Sequence, residues 1–346
     1  MAATMKYLAA TTCGAALLLG GCSPASTPSD AGATSVESAP VVKDAGGTEV
    51  SPDARKADLL ADYETALAAA QATRGLGMPQ LWTMSDEDTT VHFFGTVHLL
   101  RPELEWRSSA FEAAFSAADT VYFEVDMKSE EAQARLMKDF VMRGMYQDGR
   151  TLRDTLGTQE EAVVERAMDS VGVPLDAFNS FEPWMAAMNL SVMKLTADGF
   201  DPNAGVETVL EAEAVAAGKS FGYMENISDQ ADAFDLMSEA GQVAFLYESA
   251  LLLDESTAML DTLVDEWADG DVAGIGVMVA NPDGVGFSKE AYQRLLVTRN
   301  ENWIPVIEDI LDEPGTAFVA VGAGHLAGPD SVIEMLRAKG YEVTGP

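Results

Sequence analysis

Two segments at opposite ends of this chain share one pattern, an apolar strand followed by Gly-x-x-His and the start of a helix. The first, HFFGTVHLLRPE, places His98 after Gly95, and the second, FVAVGAGHLAGPD, places His325 after Gly322. Apolar strands that alternate with helices are typical of parallel sheets with helices on both faces. In such sheets ligands bind outside the carboxyl ends of the strands. The pattern therefore predicts an α/β fold with both histidines at one edge of its sheet.

The predicted α/β fold has a central, mostly parallel sheet built from N-terminal and C-terminal βα units. The N-terminal part supplies the strands PQLWTMS, TTVHFFG and TVYFEV, and the C-terminal unit supplies TAFVAVG and a short final strand. The strand that ends in Glu124 is expected beside the strand that delivers His98, as in a βαβ unit. Between these units, residues 129–316 form a large helical insertion that contains one clear strand, KSFGYME. The whole domain is expected over residues 54–346.

The N-terminus, residues 1–22, has the features of a lipoprotein signal peptide: Lys6, an apolar run too short to cross a bilayer, and LGGC, which resembles the bacterial lipobox. We therefore expect acylation of Cys22 and an anchor in the membrane of the bacterial cell envelope. Because Ser23 follows the cysteine, we expect the outer membrane. The alternative is an ordinary cleaved signal peptide. Residues 23–53 are rich in Ser, Thr, Pro, Ala, Gly and Asp and are expected to form a flexible tether.

The composition excludes several classes of function. The net charge is −35, and such an acidic surface repels nucleic acid, so no nucleic-acid partner is expected. Both cysteines, Cys13 and Cys22, fall in the N-terminal segment, which leaves no disulfide, catalytic thiol or cysteine-ligated metal for the domain. The chain also lacks a phosphate-binding loop with its lysine, a Gly-x-Ser-x-Gly elbow and a His-Glu-x-x-His motif.

Histidine is scarce, and its positions are informative. Of three histidines, His98 and His325 follow strand-end glycines, whereas His92 lies inside a strand. An imidazole at a sheet edge can ligate a metal or transfer a proton near neutral pH. Each of the two could instead cap a helix or bind a carbonyl group. His92 alternates with apolar neighbours and is interpreted as structural.

Two glutamates at predicted strand ends could complete a metal site with these histidines. Glu124 ends TVYFE and Glu225 ends GYME, where a carboxylate next to an apolar run needs a partner. Either could be a ligand, a general base or an ordinary strand-end carboxylate. Glu207 lies at a helix start, where the helix dipole already favours an acid, and it ranks below them. Arg299 breaks the apolar pattern of its helix, so it either extends to solvent or points at the site as an anion clamp.

These motifs together resemble the TraB/GumN family, which includes Tiki-type membrane metalloproteases and pheromone-shutdown proteins and is distantly similar to the erythromycin esterase and ChaN-like group. The resemblance runs in order over residues 81–343 and rests on FFGTVHLLRPE, GYMENISDQ, LLVTRNENW and FVAVGAGHLAGPD. It implies two Gly-x-x-His motifs and glutamates around a divalent metal, which fall here on four residues: His98, His325, Glu124 and Glu225. Arg299 matches a recurrent Arg-Asn pair. GYMEN departs from the more usual Leu-Glu-Thr and Glu207 stands where Asp is common, but the ligand-forming types are kept.

The resemblance leads us to expect a metal-dependent, peptidase-like hydrolase displayed as an envelope lipoprotein. His98 and His325 would ligate Mn, Co or Zn, and one glutamate would be a ligand while the other is the general base. Arg299 would hold the oxyanion or an anionic group of a peptide or small-molecule substrate. The alternative is a non-catalytic envelope protein that binds a metal, haem or another ligand at the same crevice. A shared metal requires the two imidazoles to lie within about 5 Å of each other.

Overall fold

The computed structural model describes residues 50–280 and 288–346. The predicted signal peptide, Cys22 and most of the predicted tether lie outside these residues. Within the described part, no helix is long and apolar enough to cross a membrane. Its strands form a six-stranded sheet from β1 (Leu81–Ser85), β2 (Thr89–Thr96), β3 (Thr120–Phe123), β4 (Ser220–Tyr223), β5 (Gly315–Gly322) and β6 (Val343–Thr344).

The sheet is mostly parallel, as predicted, and its strand order is β4-β3-β5-β2-β1-β6. Strand β5 runs parallel to both β2 and β3, and β3 runs parallel to β4, whereas β1 is antiparallel to β2 and to β6. One prediction was wrong: the strand that leads to Glu124 does not lie beside the strand that leads to His98, because β5 lies between them. The crossover through the first βα unit therefore skips one strand position, which the C-terminal unit later fills. His325 is consequently delivered between the other two positions.

Helices cover the sheet and fill most of the segment between β3 and β5. The described residues contain α1 (Pro52–Ala70), α2 (Ser109–Ala117), α3 (Glu130–Arg135), α4 (Leu152–Thr155), α5 (Thr158–Ser170), α6 (Pro183–Ala197), α7 (Val206–Ala217), α8 (Ile227–Asp235), α9 (Glu239–Leu251), α10 (Ser256–Asp269), α11 (Val272–Val279), α12 (Lys289–Tyr292), α13 (Thr298–Leu311) and α14 (Val332–Lys339). Shorter segments are π-helical at Leu136–Val141 and Gln293–Val297 and 3-10 helical at Leu175–Phe178, Pro202–Ala204 and Ala323–His325.

Local signals explain several helix boundaries. Helix α2 begins after Ser108, whose hydroxyl accepts a hydrogen bond from the Phe111 N–H. Helix α7 ends at Gly218, which has φ of 70°, a left-handed conformation that glycine adopts without a steric penalty. Helix α1 begins at Pro52 after the N-cap Ser51, inside the stretch that was expected to be a tether.

The sheet is buried on both faces. On one face, Phe94 and Phe318 pack with α2 and with Trp267. On the other face, Phe93 and Val319 pack with α13 and α14. Successive residues of β2 and β5 thus alternate between two cores, because neighbouring side chains on a strand point to opposite faces. This double burial explains why both strands read as continuous apolar runs.

The helical insertion has apolar cores of its own. One cluster packs α5, α6 and α9 together and includes Val164, Leu190 and Tyr247. A second cluster packs α6 against α8, where the rings of Trp184 and Phe234 stack with centroids 5.5 Å apart. The strand predicted from KSFGYME is β4, and it extends the sheet beside β3.

Candidate functional site

Both Gly-x-x-His segments reach the same edge of the sheet. Strands β2 and β5 are parallel, and Thr96 pairs with Gly322 at their carboxyl ends. His98 follows β2, and His325 lies in the 3-10 turn that follows β5. Glu124 directly follows β3, on the other side of β5. The fold therefore brings together three residue positions that the sequence assigns to a metal site.

Helix α7 holds the imidazole of His98. Its first turn carries Glu207, whose Oε1 lies 2.5 Å from His98 Nδ1. The Thr96 hydroxyl donates a hydrogen bond to the same oxygen. The helix is itself docked on this segment, since the Val206 N–H donates to the Val97 carbonyl at 3.0 Å. Because an ionised carboxylate offers only acceptor atoms, this contact favours a proton on Nδ1, and Nε2 lies on the side of Gly322.

Helix α13 orients the imidazole of His325 in a similar way. Here the acceptor for Nδ1 is the neutral amide of Asn300 and not a carboxylate. The Nδ1 atom of His325 donates to Asn300 Oδ1 at 2.6 Å, and the Asn300 amide nitrogen donates to the Asp330 carbonyl at 2.8 Å. Trp303 packs on the imidazole with ring centroids 4.3 Å apart. The proton therefore lies on Nδ1, and Nε2 accepts from Arg299 Nη1 at 3.1 Å.

Arg299 is buried and points into the site, which is one of the two orientations considered from the sequence. Its Nη2 lies 2.6 Å from Glu124 Oε2 and 2.6 Å from Glu225 Oε1, and its Nε lies 3.0 Å from Glu225 Oε1. Its Nη1 donates to the Leu295 carbonyl at 3.1 Å in addition to His325. All five guanidinium N–H groups thus have acceptors within the protein. A substrate anion would have to displace one of them before Arg299 could act as an anion clamp.

Glu124 is the glutamate that contacts the histidine edge. Its Oε1 accepts a hydrogen bond from the Gly322 N–H at 2.8 Å and lies 3.9 Å from His325 Nε2. Its Oε2 accepts from the Gln230 side chain at 3.3 Å, in addition to the contact with Arg299. The carboxylate is thus fixed by partners on β5, α8 and α13, and Oε1 is the oxygen on the side of the histidines.

Glu225 lies one step further from the histidines, behind Arg299. Both of its oxygens accept from the guanidinium, and Oε2 also accepts from the indole N–H of Trp303 at 3.0 Å. Burial raises the pKa of Glu225, although the charge of Arg299 opposes that rise. These contacts give Glu225 the role of holding Arg299 in place.

Charge is distributed unevenly over the site. Burial lowers the pKa of His98, but the charge of Glu207, its hydrogen bond and the charge of Glu124 together outweigh burial, so the pKa lies above its usual value. Burial and the charge of Arg299 lower the pKa of His325 to about 3, so this ring is neutral at pH 7. Burial opposes ionisation of Glu124, yet Arg299 and the two histidines hold its pKa well below its usual range. The site therefore combines an ionised carboxylate, Glu124, with an imidazole whose pKa is raised, His98, and one whose pKa is lowered, His325.

Three side chains surround one small space beside Gly322. A Cβ atom placed on Gly322 would lie 3.1 Å from Glu124 Oε1, 3.2 Å from His98 Nε2 and 3.5 Å from His325 Cδ2. This space, the Gly322 cradle, is defined by those four residues. Carboxylate oxygen and imidazole nitrogen are donors that Mn, Co and Zn accept. The residue types around the cradle therefore fit the divalent metal that the resemblance implies.

The positions of these side chains still differ from those of a formed metal site. In residues 50–280 and 288–346, no group of three His, Cys, Asp or Glu side chains is arranged to hold a metal ion. One contact bears directly on this result: His325 Nε2 accepts from Arg299 Nη1. The positively charged group beside His325 Nε2 is therefore the guanidinium of Arg299. A metal bound by both imidazoles would have to displace that contact.

Several site residues were ranked low or left unassigned by the sequence. Glu207 was explained by the helix dipole alone, but it contacts His98 because α7 approaches closely at Gly205, where a Cβ would lie only 2.2 Å from the His98 carbonyl oxygen. Asn300 and Trp303 were not assigned roles. A signal for Asn300 was present, since it is the second residue of the Arg-Asn pair.

The profile of the TraB/PrgY/gumN family matches residues 80–345, which include every site residue described above. A protein of Treponema pallidum (strain Nichols) described as uncharacterized is 19% identical over 269 residues, which are 75% of this chain and 80% of that protein.

Two animal proteins are also similar. A Metalloprotease TIKI homolog of Nematostella vectensis is 23% identical over 305 residues, and Metalloprotease TIKI1 of Danio rerio is 23% identical over 312 residues. These alignments cover 73% and 76% of this chain, but only 64% and 62% of the two relatives. No solved structure matches the chain.

Proposed function

The chain belongs to the TraB/PrgY/gumN family, and from this premise we propose that it is a metal-dependent hydrolase that cleaves peptide bonds. Two relatives over the same region bear the name metalloprotease, which supports a peptidase-like role. The observation in this chain that carries the proposal is the Gly322 cradle, where a glutamate oxygen and an imidazole nitrogen approach one point at 3.1 and 3.2 Å.

The side chains around the cradle would bind the metal ion, and their neighbours would orient them. His98 and His325 would hold Mn, Co or Zn through their Nε2 atoms, with Glu124 as the adjacent carboxylate. When bound, such an ion supplies Lewis acidity toward a carbonyl group and toward water. Glu207 and Asn300 keep protons on the Nδ1 atoms, so both Nε2 atoms can act as ligands.

The two glutamates would differ in role. Glu124 would be the proton acceptor for an attacking water molecule, because its Oε1 faces the cradle. Its lowered pKa keeps the carboxylate ionised but also makes it a weaker base than an ordinary glutamate. Glu225 has both oxygens engaged by Arg299 and Trp303, so it positions the guanidinium. Arg299 in turn keeps Glu124 ionised and oriented.

A direct test measures cleavage of a peptide library by the full chain. The chain is stripped with a chelator and reloaded with Mn²⁺, Co²⁺ or Zn²⁺ in separate samples, and products are identified by mass spectrometry. We expect cleavage that disappears on chelation, returns with one of these ions and is lost in His325→Gln. His92→Gln is the matched control and should retain activity, because His92 binds the Thr83 hydroxyl on β1 at 2.9 Å, away from the cradle. Bound metal without any turnover would favour a binding protein at the same crevice.

We further propose that Cys22 anchors the enzyme in the outer membrane of the bacterial cell envelope, so that its substrates are peptides or small molecules met there. The LGGC motif after a short apolar run supports this location. Cys22→Ser should abolish labelling by a palmitate analogue and release the chain from the membrane fraction. Cys13→Ser, at the other cysteine, should leave both unchanged. A Cys22→Ser chain that keeps its acyl label would contradict the proposed anchor.

A further inference from the structure

The two motif glycines, Gly95 and Gly322, look equivalent in sequence but have different surroundings. A Cβ on Gly95 would lie 3.0 Å from the Cα and 3.1 Å from the Cβ of Ala323. It would press on the backbone of the other Gly-x-x-His segment. Gly95 is therefore a packing glycine, which lets the two segments approach each other. Gly322 instead faces the polar atoms of Glu124 and His98.

The two glycines do not pair with each other but are offset by one residue in the register of β2 and β5, which explains their different surroundings. The register of β2 and β5 pairs Gly95 with Val321 and Thr96 with Gly322. Side chains alternate along a strand, and paired residues of neighbouring strands point to the same face. The positions that a side chain would take at Gly95 and at Gly322 therefore lie on opposite faces. Gly322 shares its face with Thr96, whose hydroxyl contacts Glu207.

We propose that metal binding requires glycine at position 322, because the bound cation needs the space that a methyl group would fill between Glu124 and His98. This inference rests on the proposed function. A methyl group would touch Glu124 Oε1 at 3.1 Å and His98 Nε2 at 3.2 Å. A metal ion must approach such donors to about 2.0–2.2 Å. A cation bonded to both donors from the side of Gly322 would therefore overlap the methyl group.

The backbone does not itself require glycine at this position. Gly322 has φ of −50° and ψ of 134°, an extended conformation that other residues adopt freely. Its N–H donates to Glu124 Oε1 at 2.8 Å, and alanine would keep that hydrogen bond. The requirement for glycine comes from the space beside it.

The test compares Gly322→Ala with Gly324→Ala in the same segment. A Cβ on Gly324 would meet the apolar atoms Val279 Cγ2 at 3.3 Å and Leu296 Cδ2 at 3.7 Å. Co²⁺ is titrated into the metal-free full chain and followed by calorimetry and by its visible spectrum, and the titration is repeated with Mn²⁺ and Zn²⁺. We expect Gly322→Ala to raise the Kd by about 10–100-fold, whereas Gly324→Ala binds as the wild type does.

Measurements on the metal-free chain separate binding from folding. Gly322→Ala should still unfold cooperatively and close to the wild-type temperature, because the restricted unfolded chain offsets the small movement that Glu124 and His98 must make. Its imidazole NMR signals should shift for His98 and His325 and stay unchanged for His92. A Gly322→Ala chain that fails to fold, or that binds Co²⁺ with wild-type affinity, overturns the inference alone. A wild-type chain that takes up none of the three ions overturns the proposed metal dependence and this inference with it.

Discussion

His98 Nδ1 lies 2.5 Å from Glu207 Oε1, so an imidazole at the end of β2 takes its orientation from the first turn of α7. His325 depends in the same way on Asn300 of α13, at 2.6 Å. Helices that come from the segment between β3 and β5 thus fix both rings. The helical insertion therefore completes the sheet edge and does not merely cover it.

Glu207 should control metal affinity through His98. In Glu207→Ala the ring loses its acceptor, so we expect the affinity for Co²⁺ to fall by about 10–100-fold in a calorimetric titration. Glu211→Ala is the matched control, since this residue lies one turn further along α7 and pairs with Lys128 at 2.9 Å. Equal affinities in both variants would show that the contact with Glu207 does not support a ligand.

Asn300 should hold the Nδ1–H of His325 in a short hydrogen bond. The chain has three histidines, so their imidazole signals can be assigned by single substitutions. In Asn300→Leu the acceptor is absent, so we expect the Nδ1–H proton signal of His325 to move upfield and to exchange faster with water. The Nδ1-protonated tautomer should persist, because Arg299 donates to Nε2. The exposed Asn302 lies on the same helix, and Asn302→Leu should leave the signal unchanged. An unaltered Nδ1–H signal in Asn300→Leu would contradict the assigned role.

Arg299 should be essential for stability as well as for the site. In Arg299→Met two buried carboxylates, Glu124 and Glu225, lose their counter-charge, which should lower the free energy of unfolding by about 3–5 kcal/mol. Arg294→Met, whose ion pair with Glu290 spans 3.8 Å near the surface, should change it by less than about 1 kcal/mol. Urea unfolding of the metal-free proteins measures both. A similar loss in the two variants would refute the buried network.

Stability should fall as the pH drops below 6.5, because of His325. Its folded-state pKa is lowered to about 3 from 6.5, so the unfolded chain binds a proton that the folded chain excludes. The stabilisation is therefore complete above pH 6.5 and decreases by about 1.4 kcal/mol for each pH unit below it. His98 contributes little to this slope, because its pKa is raised and the unfolded chain also binds the proton below pH 6.5.

The measurement is the free energy of unfolding of the metal-free chain between pH 6 and about pH 5, above the range in which most carboxylates titrate. His325→Gln should remove most of this dependence. Burial also lowers the pKa of His92, so His92→Gln should remove a smaller part. An unchanged slope in His325→Gln would show that the buried ring does not exclude its proton.

The sequence predicted the elements that depend on local pattern. The strand ends at Gly95 and Gly322, the parallel sheet and the position of both histidines at one edge follow from apolar runs, glycines and helical spacing. The family is also confirmed. The position of Glu124 beside this edge was expected, although the strand between it and His98 was not.

Features that depend on contacts between distant parts of the chain could not be predicted from the sequence. The insertion of β5 between β2 and β3 depends on contacts between residues far apart in the chain, which leave no local pattern. The different roles of Gly95 and Gly322 depend on strand register, which two similar motifs cannot reveal. The pairing of Glu207 with His98 depends on how α7 docks.

The central claim is that His98 and His325 bind one cation beside Gly322. Electron spin echo envelope modulation of Mn²⁺ bound to the full chain measures this directly, because it counts the imidazole nitrogens that couple to the ion. We predict coupling to two imidazoles, reduced to one in His98→Gln and in His325→Gln and unchanged in His92→Gln. Bound Mn²⁺ without imidazole coupling, or with coupling that survives both site substitutions, would contradict the account.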